Sequence, residues 1–234
     1  MKTLTQIKTH LNSLESTFGF NPANVNQDDE EWLVMKLGVL SATGGDALLA
    51  GPTTAKRKGY LAGKVAEVCT GMKPQITSKQ MSWGLEHESA ARSIYEFDRD
   101  TILHELPMIF KDDSLRYACS PDGITDKFKG AEIKCPYTTQ VFIEFLSNGI
   151  IKPEYKKQCQ FSMWITGYEI WDFMNYDKRM NSKPYHIVPI ERDLKMMKSF
   201  DDAVPQAVFE MDKMLKDIGI KFGDHWETLK KGRE

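Results

Sequence analysis

The stretch Ser120-Pro121-Asp122-Gly123, continued after residues 124–130 by Ala131-Glu132-Ile133-Lys134, decides how this chain is read. Alternate residues of a strand face one side, so Glu132 and Lys134 project together while Ile133 turns toward the core. Lys127 to Gly130 has turn composition, and a hairpin folded there brings Asp122 across from the Glu132 to Lys134 end. Two carboxylates and one ammonium then share a small volume. Such carboxylates repel unless a divalent cation relieves them, and hard oxygen ligands suit Mg²⁺, which keeps several waters and accepts phosphate oxygens. Phosphodiester hydrolysis fits this set: a bound metal acidifies water, and Lys134 orients the nucleophile or stabilises developing charge. Asp-x9-Glu-x-Lys arises by chance in about 5% of chains of this length, and a preceding proline lowers that to under about 1%. The competing reading is a surface hairpin carrying an i,i+2 ion pair, and the rest of the chain decides between them.

The 234 residues, 41% hydrophobic and 27% charged, suit one globular domain over 1–234 that begins with a helix within 1–22. No apolar run approaches the roughly 20 residues of a membrane span, and residues 1–10 lack the apolar segment of a secretory signal. A soluble, cytoplasmic protein with no membrane partner is expected. Cys69, Cys119, Cys135 and Cys159 are widely spaced, which argues for reduced thiols and against a zinc knuckle, an iron-sulfur cluster or a disulfide framework. The net charge of -2 lacks the basic excess that a non-specific nucleic-acid binder often carries.

Leu4, Ile7, Leu11 and Leu14 recur at helical spacing, and Gly19 with Asn21-Pro22 ends that pattern. Ser41-Ala42-Thr43 reads as the cap of a short helix through Leu49, an N-terminus able to hold an anion. Lys56, Arg57 and Lys58 form a basic cluster, a solvated face or a phosphate contact, ahead of a helix that stops near Gly71. A further helix spans 78–97, with Met81, Leu85, Glu88, Ala91, Ile94 and Tyr95 along one stripe. Glu88 is the polar member, so it either snorkels at the edge or faces a metal or a base. Short extended segments fill 102–135. Helices are expected over 138–146 and 153–165, strands over 169–176 and 185–192, and a long helix over 194–218 that Pro205 should kink or split. The pattern is α/β, with helices flanking a central sheet.

Two motifs fail on inspection. Gly63-Lys64 is no phosphate-binding loop, because Lys58 stands where the first glycine belongs and Val65 where Ser or Thr belongs. His87-Glu88 opens like a zinc-protease helix, but Ala91 occupies the second histidine position.

The chain resembles the lambda-type viral exonucleases, also called YqaJ-like recombinases, of the PD-(D/E)xK nuclease superfamily. The likeness runs through Trp32-x-x-x-Lys36-Leu37-Gly38-Val39, Ala66-Glu67-Val68-Cys69-Thr70-Gly71 and Trp83-Gly84-x-x-x-Glu88. It continues through Ala118 to Gly123, Glu132 to Pro136, Gln158-x-Gln160-Phe161-Ser162-Met163-Trp164, Asn175-Tyr176-Asp177-x-Arg179-Met180 and Ile190 to Asp193. The resemblance implies a restriction-endonuclease-like mixed sheet flanked by helices, with a nuclease core over 23–234. It also implies a 5′-to-3′ exonuclease that digests one strand of linear double-stranded DNA to mononucleotides, leaving a 3′ tail for recombination. Asp122, Glu132 and the Ile133 carbonyl would bind Mg²⁺, with Mn²⁺ as an alternative and two ions per site; Glu88 would reach the second ion or its water. Lys134 would be the catalytic lysine, with Gln158 beside it.

By the same likeness Lys36, Thr43 and Ser120 match a pocket for the terminal 5′ phosphate. The family has arginine where this chain has Lys36, which supplies charge without a planar fork. Met81 matches an apolar side chain pushed into the duplex end, although core packing explains it equally well. The resemblance further implies a phage or prophage origin in a bacterial host, a processive homotrimeric ring around DNA, and a single-strand annealing protein as partner. Such a ring needs no large basic excess, and Lys56, Arg57 and Lys58 would line its channel. Two alternatives remain: a site-specific endonuclease on the same core, for which no recognition module is evident, and a non-catalytic DNA-binding module.

Overall fold

The computed structural model describes residues 1–74 and 78–232. The amphipathic N-terminal segment forms α1 (Leu4–Ser13), opened by a reciprocal cap in which the Thr3 hydroxyl accepts from the Gln6 N–H and the Gln6 side-chain oxygen accepts from the Thr3 N–H. Short helices α2 (Glu15–Phe18) and α3 (Glu30–Met35) lead to β1 (Leu40–Ser41). The capped helix expected next is reduced to a 3-10 turn, Ala42–Gly44, and the four residues of α4 (Gly45–Leu48), with no side-chain cap from Ser41. α5 (Ala55–Thr70) is capped by the Thr54 hydroxyl and ends at Gly71, whose φ of 64° favours glycine. α6 (Lys79–Arg99) starts from the Ser78 cap, as its periodicity predicts.

The extended region resolves into β2 (Ile109–Phe110), β3 (Tyr117–Cys119), β4 (Gly123–Ile124) and β5 (Lys129–Lys134). α7 (Thr139–Asn148) and α8 (Pro153–Thr166) follow, then β6 (Ile170–Tyr176), β7 (Tyr185–Glu191), α9 (Leu194–Asp217) and α10 (Asp224–Lys231). This is the expected α/β arrangement of mixed sheet flanked by helices. Its strands pair in two groups, β1-β3-β2 and β4-β5-β6-β7. Residues 120–122 carry the chain from one group to the other, and Pro121 among them has no N–H to extend a ladder.

β5 lies inside the larger sheet, antiparallel to β4 and parallel to β6, with α7 and α8 forming the crossover. Lys129 and Gly130, expected in the turn, belong to this strand. The turn falls at residues 125–128, where Phe128 adopts φ 57°. Gly130 is in the strand because it lies under an indole: a Cβ there would come within 2.4 Å of the Trp171 ring.

α9 does not split at Pro205. The ring is exposed, while Phe200, Val204, Ala207 and Met211 seal the inner face, and that packed stripe offsets the roughly 3 kcal/mol a mid-helix proline costs. α10, which periodicity did not reveal, drops Trp226 into the main core, where its indole N–H donates to the Val34 carbonyl at 3.0 Å.

Candidate active site

The hairpin register places Gly123 opposite Ala131, which sets Asp122 beside the Glu132 to Lys134 end of β5. There Asp122 Oδ2 accepts from the Ile133 backbone N–H, and Lys134 Nζ pairs with Glu132 Oε1. Gln158 reaches across from α8, its Nε2 donating to the same Glu132 oxygen at 2.6 Å. Glu132 is only 1% exposed and Ile133 is buried, so both faces of this central strand are covered. The structure therefore brings Asp122, Glu132, Lys134 and Gln158 together.

Glu88 approaches from α6, paired with Arg92 at 3.2 Å. Glu88, Asp122, Ile133, Lys134 and Gln158 line one cleft of about 980 Å³ between α6 and α7. Apolar side chains supply much of its lining, with Met81 and Leu85 from α6 and Tyr137, Val141 and Ile150 from residues 137–150. Trp83 and Tyr137 meet edge to face at 6.0 Å, bridging the two walls. Arg179 fastens this bridge: held by the buried Asp177 carboxylate, it donates to the Tyr137 and Pro136 carbonyls at 2.9 and 3.1 Å and stacks on Trp83 at 4.5 Å.

Burial dominates the electrostatics. Desolvation pushes Glu132 up to about 7; Lys134 opposes this and Asp122 adds to it. Glu88 also rises to about 7, through burial and then Asp122, against the pull of Arg92 and Lys134. Burial raises Asp122 as well, opposed by Lys134, the Ile133 N–H and Arg92. Burial disfavours the charge on Lys134, yet Glu132 and Asp122 outweigh it and hold its pKa above the ordinary lysine value.

Among the described residues, no group of three or more His, Cys, Asp or Glu side chains is gathered as a ready cation site. The donor chemistry still fits a divalent ion. Asp122 raises both Glu88 and Glu132, a carboxylate repulsion that a cation relieves, and the hydrogen bonds to this pair fall on Oδ2 of Asp122 and Oε1 of Glu132.

Lys36 and Ser120 converge on Trp32. The Lys36 ammonium lies 3.4 Å from the indole centroid, and the indole N–H reaches the Ser120 hydroxyl at 3.3 Å. Burial, then Lys73 and Lys64, lower the Lys36 pKa to about 7. Thr43 lines the main cleft instead, its hydroxyl 3.1 Å from that of Ser41. Four-residue α4 gives it no helix N-terminus able to hold an anion.

The basic cluster disperses. Arg57 is 1% exposed and donates to the Leu48 and Ala203 carbonyls and to Glu210, so it ties α5 to α4 and α9 rather than facing a channel. Lys56 pairs with Asp46, and Lys58 is exposed. Met81 is 53% exposed on the cleft wall, which removes the core-packing explanation. Sequence reasoning missed Tyr155, whose ring lies 5.3 Å from Lys134 Nζ, and Arg92, although its position four residues after Glu88 was a readable signal.

An Asp, Glu-x-Lys core on a mixed sheet, with Asp122 and Lys134 opening into the cleft and Glu132 buried behind them, defines the class. The chain belongs to the YqaJ-like viral recombinase family, whose domain model matches residues 31–169, more than half of its length. It is similar to ExoD, an uncharacterised protein of Escherichia coli (strain K12), with 47% identity over 76 residues that make up 32% of this chain and 87% of that one. The crystal structure of LHK-Exo, an alkaline exonuclease from Laribacter hongkongensis, superposes with a TM-score of 0.75 and 30% identity, covering 81% of this chain and 96% of that one. Its complex with dAMP gives the same values. A phage-related exonuclease from Haemophilus somnus 129PT, at TM-score 0.58 and 13% identity over 77% of this chain and 96% of its own, shares the fold.

Proposed function

We propose that this protein is a metal-dependent 5′-to-3′ exonuclease that degrades one strand of linear double-stranded DNA to mononucleotides, leaving a 3′ tail for recombination. The observation that carries this reading is the hydrogen-bonded cluster around β5, in which Lys134 and Gln158 both meet the buried Glu132 while Asp122, Lys134 and Gln158 line the cleft. LHK-Exo, an exonuclease by name, supports it through a shared fold and 30% identity.

Asp122, Glu132 and the Ile133 carbonyl would hold the first ion in this reading, and Glu88 would reach the second or its water. Mg²⁺, or Mn²⁺ in its place, supplies an acidified water and positive charge for the attacked phosphate. Gln158 fixes the Glu132 carboxylate by its 2.6 Å hydrogen bond, so that this ligand keeps one orientation. Lys134 pairs with Glu132 and faces the cleft, which places its ammonium to orient the nucleophile or to donate to a phosphate oxygen. Lys36 and Ser120 at Trp32, with Thr43 from the cleft wall, are the candidate 5′-phosphate pocket. A homotrimeric ring around DNA, an annealing protein that receives the single strand, and action in the cytoplasm of a bacterial host complete the proposal. Among the described residues, no helix is long and apolar enough to cross a membrane.

The test is digestion of linear and covalently closed circular duplex in Mg²⁺ beside a Lys134→Ala variant. Linear DNA is expected to shorten from its 5′ ends while circles survive, and the variant is expected to lose at least about 100-fold in rate. Cleavage of circles would assign the site to an endonuclease. A variant as fast as the parent would remove Lys134 from the mechanism.

A further inference from the structure

Arg92 stands one turn after Glu88 on α6, so the two side chains share a face. Its guanidinium spans two carboxylates, with Nη2 on Glu88 Oε1 at 3.2 Å and Nε on Glu105 Oε1 at 3.1 Å. The Arg92 side chain is 13% exposed, Glu105 lies largely in solvent, and Nη1 is buried without a hydrogen-bond partner. An arginine serving only as a surface partner needs no burial, and burying one with an idle donor costs free energy. The surroundings indicate a role for the two-carboxylate span: Glu88 shares the cleft with Asp122, and carboxylates left to themselves turn apart.

We propose that Arg92 is a positioning residue, a fork braced on Glu105 that holds the Glu88 carboxylate turned into the cleft toward Asp122 and Glu132. Glu88 cannot swing to solvent while Nη2 holds it, and Arg92 cannot follow it outward while Nε is braced. This inference rests on the nuclease reading above, because Glu88 has work to do only if phosphodiester chemistry occurs there.

A double-mutant cycle tests it, using Arg92→Ala, Glu88→Gln and the pair, with Arg92→Lys as the conservative variant. Turnover and KM are measured on 5′-phosphorylated linear duplex, and Mn²⁺ binding is measured by calorimetry without DNA. Arg92→Ala is expected to lower kcat about tenfold, with KM for DNA changed less than about twofold, and to weaken Mn²⁺ binding. Arg92→Lys should recover part of each loss. The paired variant should be no slower than Glu88→Gln alone, since one residue acts through the other. Multiplying losses in the pair, or a rise in KM with kcat unchanged, overturns the proposal.

If Arg92→Ala fails to fold, Glu105→Gln at the exposed end of the fork replaces it, with kcat expected to fall about threefold; an unchanged kcat overturns the proposal. A parent protein inert toward linear duplex fails the nuclease reading, and calorimetry then judges Arg92 by itself. Equal Mn²⁺ affinity in parent and Arg92→Ala overturns the positioning role.

Discussion

Lys36 is held near pKa 7 because burial and the neighbouring Lys73 and Lys64 ammoniums disfavour its charge. A terminal phosphate placed against it favours the charged form. The sign follows: the empty pocket carries this charge below pH 7 and loses it above, so binding at high pH must include uptake of a proton. Each pH unit above the pKa then costs about 1.4 kcal/mol of pocket affinity. The KM advantage of 5′-phosphate over 5′-hydroxyl ends should therefore shrink as pH rises from about 6 to about 9. Lys36→Arg should flatten that dependence, because a guanidinium stays protonated throughout. Steady-state kinetics on the two end types at each pH make the measurement, and a parallel slope in the arginine variant would exclude Lys36. Lys36, like Asp122, Glu132 and Lys134, could be picked out from the sequence because its neighbours form a motif. The inward turn of Arg57 could not, since three consecutive basic residues look alike on paper and the carbonyls that satisfy this one lie 9 and 146 positions away.

At the scale of elements, β5 shows why strand chemistry was readable and its boundary was not. Alternation alone predicted that Glu132 and Lys134 share a face, because that period is local. Gly130 carries no such local signal. It reads as a turn residue until Trp171 is seen to cross it from β6, forty-one positions away in sequence. Gly130→Ala should accordingly destabilise the protein by about 2 kcal/mol through overpacking, measured as a lowered urea midpoint with an unchanged m-value. A neutral substitution would mean that the indole moves aside at no cost. Pro205 taught the opposite lesson. There the local rule was sound, but the apolar stripe through Phe200, Val204, Ala207 and Met211 overrode it.

The whole molecule carries a net charge of -2, a poor balance for a protein that grips DNA by electrostatics alone. A closed ring would retain its substrate by topology, so light scattering is expected to give a mass three times the 26.8 kDa of the chain. A monomer at micromolar concentration would remove the ring and, with it, the account of the missing positive charge. With Arg57 buried, Lys58 and the Asp46-paired Lys56 are the members of the basic cluster left to test by charge reversal.

The fork that fastens Trp83 to the Pro136 and Tyr137 carbonyls has a mechanical consequence. Swinging α6 away from residues 136–137 would break two hydrogen bonds and a ring contact together, so the two sides of the cleft are expected to keep their spacing whether the cleft is empty or occupied.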